Sequence, residues 1–142
     1  MLDTLVETHN ELWEIGNDVS ARDLQRAHVQ FFKGKTLDNT CPMGPCIVPR
    51  MEISDSKVCD LSLKLWLNNE LKQNSNTKHM IFKPAHIISQ LSQGFTLLPG
   101  DVILTGTPAG VAFASTPPFA LKEGDNLKLE IENIGILENY VR

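Results

Sequence analysis

The chain has 142 residues, 42% of them hydrophobic and 21% charged, with a formal net charge of −4. That is the length of one domain with a single core, and it is too apolar for a disordered segment. No apolar run approaches the roughly 18 residues of a membrane-spanning helix, and no Lys/Arg cluster is dense enough to track a nucleic-acid backbone.

The N-terminus, MLDTLVETHNELWEI, has acidic residues where a secretory signal needs a basic flank and an apolar stretch. The three cysteines, Cys41, Cys46 and Cys59, form no C-x-x-C, and no histidine stands at finger-like spacing. Free, buried thiols are therefore expected, in a reducing compartment: the cytoplasm, or an organelle matrix such as that of the mitochondrion.

Residues 20–32 (SARDLQRAHVQFF) place Leu24, Ala27, His28 and Phe31 near one face at helical spacing. Ser20 as N-cap and Asp23 in the first turn predict a short helix that ends near Gly34. Residues 41–49 (CPMGPCIVP) carry three prolines and a glycine. Proline neither donates to a ladder nor continues a helix, so an irregular extended passage is expected, with at most a short strand at 46–48.

From Leu61 the pattern alternates strictly. Leu61, Leu63, Leu65 and Leu67 face one way, and Ser62, Lys64 and Trp66 the other. Asn68-Asn69 tolerates positive φ ahead of Glu70-Leu71-Lys72-Gln73, which predicts a hairpin. After the short apolar run Met80-Ile81-Phe82, Pro84 opens a helix striped by Ile87, Ile88 and Leu91, with Gly94 as its stop. A turn at Leu98-Pro99-Gly100-Asp101 leads into a buried strand at 102–104. A second turn, Lys122-Glu123-Gly124-Asp125, introduces an alternating strand at 127–132, and Gly135 permits a return strand ending near Val141. Without regular β-α-β alternation, this order predicts a β-rich α+β fold rather than a doubly wound parallel sheet.

Several passages can carry chemistry. In GNDVSARDLQ, Asp18 precedes a helix start, with Arg22 and Gln25 on the first turns. The carboxylate can bind a hard cation, and Arg22 can grip a substrate carboxylate bidentately. On spacing alone, Asp18 as a helix cap and Arg22 as a surface residue is the favoured reading. Lys33-Gly34-Lys35-Thr36 resembles part of a phosphate-binding loop, but Val29 stands where that motif requires glycine, so nucleotide binding is rejected. Thr105-Gly106-Thr107-Pro108-Ala109-Gly110 follows the apolar strand with small residues and hydroxyls; a ligand-facing loop and a structural turn are both open. Glu130-Ile131-Glu132 puts two carboxylates on one strand face, which is read as a solvated face rather than a metal pair. His9, His28, His79 and His86 have no spacing that suggests a metal site or a triad.

Taken in order, GNDVSARDLQ, GKTLDNTCPMGPCIV, MIF, TLLPGDVILTGTPAGV and LKEGDNLKLEIENIGILEN resemble the fumarylacetoacetate hydrolase family, from about Ile15 to the C-terminus. The resemblance is narrowest to small acylpyruvate hydrolases, 2-hydroxyhepta-2,4-diene-1,7-dioate isomerases and oxaloacetate decarboxylases. It implies a mixed β-roll with a few short helices, usually a homodimer. It also implies Mg²⁺ or Mn²⁺ acting as a Lewis acid on a small-molecule 2-keto or 1,3-dicarbonyl acid. In the matching positions Asp18 would ligate the metal, and Arg22 and Gln25 would face the substrate. Lys35 would stabilise developing negative charge, with Lys35 and Gln25 catalytic, and Thr107 would bind the substrate carboxylate.

The family's metal site also takes two glutamates from an E-x-E strand upstream of the GND block, and its hydrolases use a His–Glu pair further upstream. MLDTLVETHNELWEI contains neither. Residues 1–14 are therefore expected as a divergent N-terminal segment and 15–142 as an N-terminally truncated family domain, either a fragment of a longer enzyme or a truncated product. A catalytically inactive remnant serving as a dimerisation or interaction module is the competing expectation.

Overall fold

The computed structural model describes residues 2–7 and 12–142. Its strands form two antiparallel four-stranded sheets, accompanied by short helices, so the architecture is the β-rich α+β arrangement expected from the sequence.

The first sheet begins with a hairpin that the sequence pattern did not announce. Strand β1 (Leu2–Glu7) pairs with β2 (Leu12–Asn17), from Leu2 opposite Asn17 to Glu7 opposite Leu12. In β2 the period of two is visible once burial is known: Trp13 and Ile15 are buried, while Glu14 between them is only half-buried. Strand β2 runs across the expected boundary at residue 14, and the same sheet continues on both sides of it.

The proline-rich passage is also more regular than expected. Met43–Pro49 is a continuous strand, β3, at the sheet's edge in the order β3-β2-β1-β6. An edge strand uses only one row of backbone groups, so Pro45 and Pro49 are tolerated. The register shift between Trp13 and Ile15 takes up the irregularity. At the other edge, β6 (Val102–Leu104) buries Ile103 alone; Val102 and Leu104 are exposed, contrary to a fully buried strand.

The second sheet has the order β5-β4-β7-β8, from β4 (Ser62–Leu67), β5 (Glu70–Asn76), β7 (Asn126–Ile131) and β8 (Gly135–Tyr140). The expected hairpin is present, with Asn68 at φ 51° and Asn69 at φ 68° in its turn. Asn68 also ties that turn to the start of β7. Its amide donates to Asp125 at 2.8 Å and its carbonyl accepts from the Asn126 N–H at 2.9 Å. The two sheets meet where β3 packs on β8 and β2 on β7 and β8. The core lies between them: Trp13, Ile15 and Val48 from one side, and Leu63, Leu65, Leu127, Leu129, Ile131 and Leu137 from the other. Each such side chain contributes about 1.5–3 kcal/mol by leaving water.

A single short helix ending near Gly34 was expected from residue 20, and two shorter ones are found. Helix α1 (Arg22–Ala27) starts after an extended Ala21 rather than Ser20, with no side-chain cap. The chain reverses through Val29, at φ 62°, and α2 (Phe32–Lys35) follows, so Gly34 lies inside a helix instead of ending one. Ala27, His28 and Phe31 are consequently exposed. A third turn, α3 (Asp55–Val58), is capped by Ser54, whose hydroxyl accepts from Lys57 N–H. Helix α4 (Pro84–Leu91) has Pro84 in its first turn, with Ile87, Ile88 and Leu91 half-buried.

The cysteines depart from expectation in exposure. Cys41 and Cys46 are exposed and Cys59 half-buried, none of them in a disulfide. Among the described residues no helix is long and apolar enough to cross a membrane.

Candidate functional site

A cavity of about 690 Å³ opens where the segment after β2, helix α1, the β4–β5 hairpin and the 110–121 loop converge. Leu65, Leu67 and Leu127 bring the edge of the core to it. Asp18, Arg22, Asp23, Arg26, Lys72 and Gln73 supply its charged and amide groups, and Phe113 and Phe119 its aromatic ones.

Asp18 leaves the end of β2, where the Asn17 and Val19 N–H groups donate to Pro42 O and Thr40 O and fix the backbone. Lys35 Nζ donates to Asp18 Oδ2, and both side chains are largely buried, at 20% and 15% exposure. Water screens such a pair less than it screens a surface ion pair. Gly34 makes the meeting possible. A Cβ at Gly34 would lie 2.8 Å from Ala21 O and 2.9 Å from Gln25 Cβ, so only glycine lets α2 settle this close to α1. The Ala21 N–H donates to Gly34 O at 2.9 Å across the same contact.

Arg22 Nη1 donates to Gln25 Oε1 at 2.6 Å, one turn along α1. Gln25 is buried, and its Nε2 has no partner among the described residues. Phe113 stacks beneath two cations: the guanidinium carbons of Arg22 and Arg26 lie 5.4 and 5.2 Å from its ring centroid. On the opposite wall Lys72 Nζ is 5.1 Å from the Phe119 ring and 2.6 Å from Glu70.

The sequence-derived residues therefore converge, in two tiers. Asp18 and Arg22 line the cavity, and Lys35 and Gln25 are each hydrogen-bonded to one of them. Thr107 reaches the cavity through an intermediary: its Oγ1 accepts from Gln73 Nε2 at 3.0 Å, and Gln73 is the lining residue. Sequence reasoning missed Gln73 and Phe113. The hairpin register sets Gln73 opposite Leu65, an inward position, so a polar side chain at that alternation was the available signal.

Glu130 and Glu132 do not line the cavity. Glu132 accepts from Lys57 Nζ at 2.7 Å and from the Ser62 N–H at 3.1 Å, tying the end of β7 to α3 and β4. Those two donors, Lys57 first, hold its carboxyl below the usual carboxylate range. A divalent cation of the Mg²⁺ or Mn²⁺ kind needs about six oxygen ligands. Among the described residues no three His, Cys, Asp or Glu side chains converge on a point, and the Asp18 carboxylate is already engaged by Lys35. These residues do not fit the cation on their own.

Residues 8–142 match the family described as fumarylacetoacetate (FAA) hydrolase C-terminal. The chain belongs to the fumarylacetoacetate hydrolase family. It is 45% identical over 129 residues to the oxaloacetate tautomerase YisK of Bacillus subtilis, a match covering 91% of this chain and 42% of that protein. Among solved structures, fumarylacetoacetate hydrolase from Exiguobacterium antarcticum superposes with a TM-score of 0.90 at 39% identity, over 99% of this chain and 56% of that one. Fumarylpyruvate hydrolase from Pseudomonas aeruginosa, in complex with Mn²⁺ and pyruvate, shares the fold with a TM-score of 0.83 at 24% identity, over 96% of this chain and 62% of that one. The chain thus spans less than half of that curated relative and little more than half of the two structures.

Proposed function

We propose that this chain supplies acid-binding and proton-handling side chains to an enzyme that interconverts the enol and keto forms of a 2-keto or 1,3-dicarbonyl acid, or cleaves its C–C bond. The observation that carries this reading is the Lys35–Asp18 pair beside Arg22 at one cavity. The activity of the relative that is 45% identical, an oxaloacetate tautomerase, supports it.

Arg22 and Arg26 would hold the substrate carboxylate, since guanidinium groups match carboxylate geometry with paired hydrogen bonds. Gln25 fixes the Arg22 guanidinium by accepting through Oε1, and both N–H groups of its Nε2 stay available as donors beside Arg22. In tautomerisation the enol oxygen releases a proton and the neighbouring carbon receives one, so negative charge passes through an enolate. Lys35 would stabilise that charge from behind Asp18, in a partly desolvated setting where a fixed ammonium is worth more than in water. Of the Mg²⁺ or Mn²⁺ implied by the resemblance, this residue set offers only Asp18 as carboxylate ligand with a matching position, and no step here is routed through the ion.

We take the working unit to be a homodimer in the cytoplasm or the mitochondrial matrix, which cysteines outside any disulfide suit. The test is a substrate panel: enol–keto conversion of oxaloacetate, its decarboxylation, and acylpyruvate cleavage, each with and without Mg²⁺ or Mn²⁺. Turnover of one member above the buffer rate supports the reading. A second reading, an inactive family remnant that associates with itself, is favoured by the engagement of the Asp18 carboxylate by Lys35. It predicts no turnover with either ion and a dimer by light scattering.

A further inference from the structure

The loop after β6 is tied to the β4–β5 hairpin through a buried amide. Gln73 is 2% exposed, whereas its neighbours Lys72 and Asn74 are half-buried and exposed. Its Nε2 donates to Thr107 Oγ1 and Pro108 O, both at 3.0 Å, and to Ala109 O at 3.4 Å. Two of these acceptors are backbone carbonyls, which only an NH₂ group can satisfy, so the amide cannot be flipped. The Gln73 Oε1 must then face the other way, and it is buried with no partner among the described residues. Gly110 closes the contact: at φ +102°, a Cβ there would sit 1.9 Å from Lys72 O, so the loop backbone lies directly on β5.

We propose that Gln73 is a substrate-positioning residue: its nitrogen sets the Thr107 hydroxyl and the two carbonyls after it, and its oxygen accepts the hydrogen bond of an enol hydroxyl in the cavity. The proposal rests on the functional reading above. Because Thr107 Oγ1 accepts from Gln73, the Thr107 proton is directed away from Gln73, and one amide orients both groups. The enol form carries the O–H donor that Oε1 lacks, and the keto form does not, so the site binds the enol more tightly. Sites built to pair with a hydroxyl discriminate against the partner lacking it.

The test uses the full chain with Gln73→Met, close in size but without hydrogen bonds, and Gln73→Glu, which keeps polarity but cannot donate to the carbonyls. Hydrogen exchange read by mass spectrometry should rise about tenfold or more at residues 105–110 in both variants, with β4 and β7 unchanged. With oxaloacetate presented as its enol, Gln73→Met should raise KM about tenfold with kcat changed much less, a split that loss of fold alone would not produce. Adding Thr107→Val to Gln73→Met should worsen KM by less than about twofold, because the two residues act through one hydrogen bond. Unchanged exchange at 105–110 in both variants, or KM effects that multiply, overturns the proposal. Should Gln73→Met not fold, Gln73→Glu carries the exchange measurement. If the wild-type chain turns over nothing, the functional reading fails, and the enol-binding part of the proposal fails with it. A raised exchange at 105–110 still upholds the loop-setting part.

Discussion

Lys35 donates to Asp18 across 17 positions of sequence, and the contact exists because the residue before Lys35 has no side chain. Helix propensity and packing make opposite demands at Gly34. Alanine in place of glycine favours a helix by about 1 kcal/mol. The Cβ it adds would press on Ala21 O at 2.8 Å and on Gln25 N at 3.0 Å, backbone atoms that cannot swing aside. Overpacking of this kind costs about 1–3 kcal/mol. Gly34→Ala should therefore lower the urea midpoint, and because it pushes α2 off α1 it should also weaken the Lys35–Asp18 pair. A raised midpoint would mean that propensity wins and the close approach is incidental.

Phe113 lies under both cavity arginines yet is half exposed, so its value is in placing charge rather than filling volume. Phe113→Ala should cost stability by no more than about 1 kcal/mol. The same change should weaken binding of oxalate, a small 2-keto acid mimic, several-fold by calorimetry. Equal oxalate affinity in variant and wild type would detach the aromatic contact from the site.

Acid should weaken the fold at identifiable places. The Lys57 ammonium, and then the Ser62 N–H, hold the Glu132 carboxyl below its ordinary value of 4.5. A carboxyl whose folded pKa is depressed contributes stability that is present above the unfolded pKa and is lost as pH falls through the folded one. Asn68 and the Lys122 N–H lower Asp125 in the same sense, from 3.8. Thermal unfolding of wild type and Glu132→Gln should thus differ near neutral pH and converge as pH falls below 4.5. Parallel curves throughout would mean that the exposed pair contributes nothing.

How much could be read from residues alone follows from which signals were local. The 61–73 hairpin was legible because its leucines alternate without a break and Asn68-Asn69 can take positive φ. The first hairpin was not, since Leu12 and Trp13 are adjacent apolar residues and only Trp13 and Ile15 alternate about Glu14, too short a run to announce a strand. Residues 43–49 were misjudged because prolines argue against a strand unless it lies on an edge, and edge position is a property of the assembled sheet. The helix at 20–32 was over-extended because nothing in Val29 announces a reversal. At the site, the ordered motifs pointed to Asp18, Arg22, Gln25 and Lys35. Gln73 and Phe113 required knowing which strand faces the 107–113 loop, a long-range fact.

The most direct measurement compares wild type with Lys35→Met, each shown to be folded by circular dichroism, in the conversion of oxaloacetate enol to its keto form with Mn²⁺ and without it. The account predicts a wild-type rate above that of buffer and a loss of about a hundredfold or more in the variant, as expected when a fixed charge on a developing oxyanion is removed. A Lys35→Met rate equal to wild type, or a wild-type rate equal to buffer in both conditions, would contradict it.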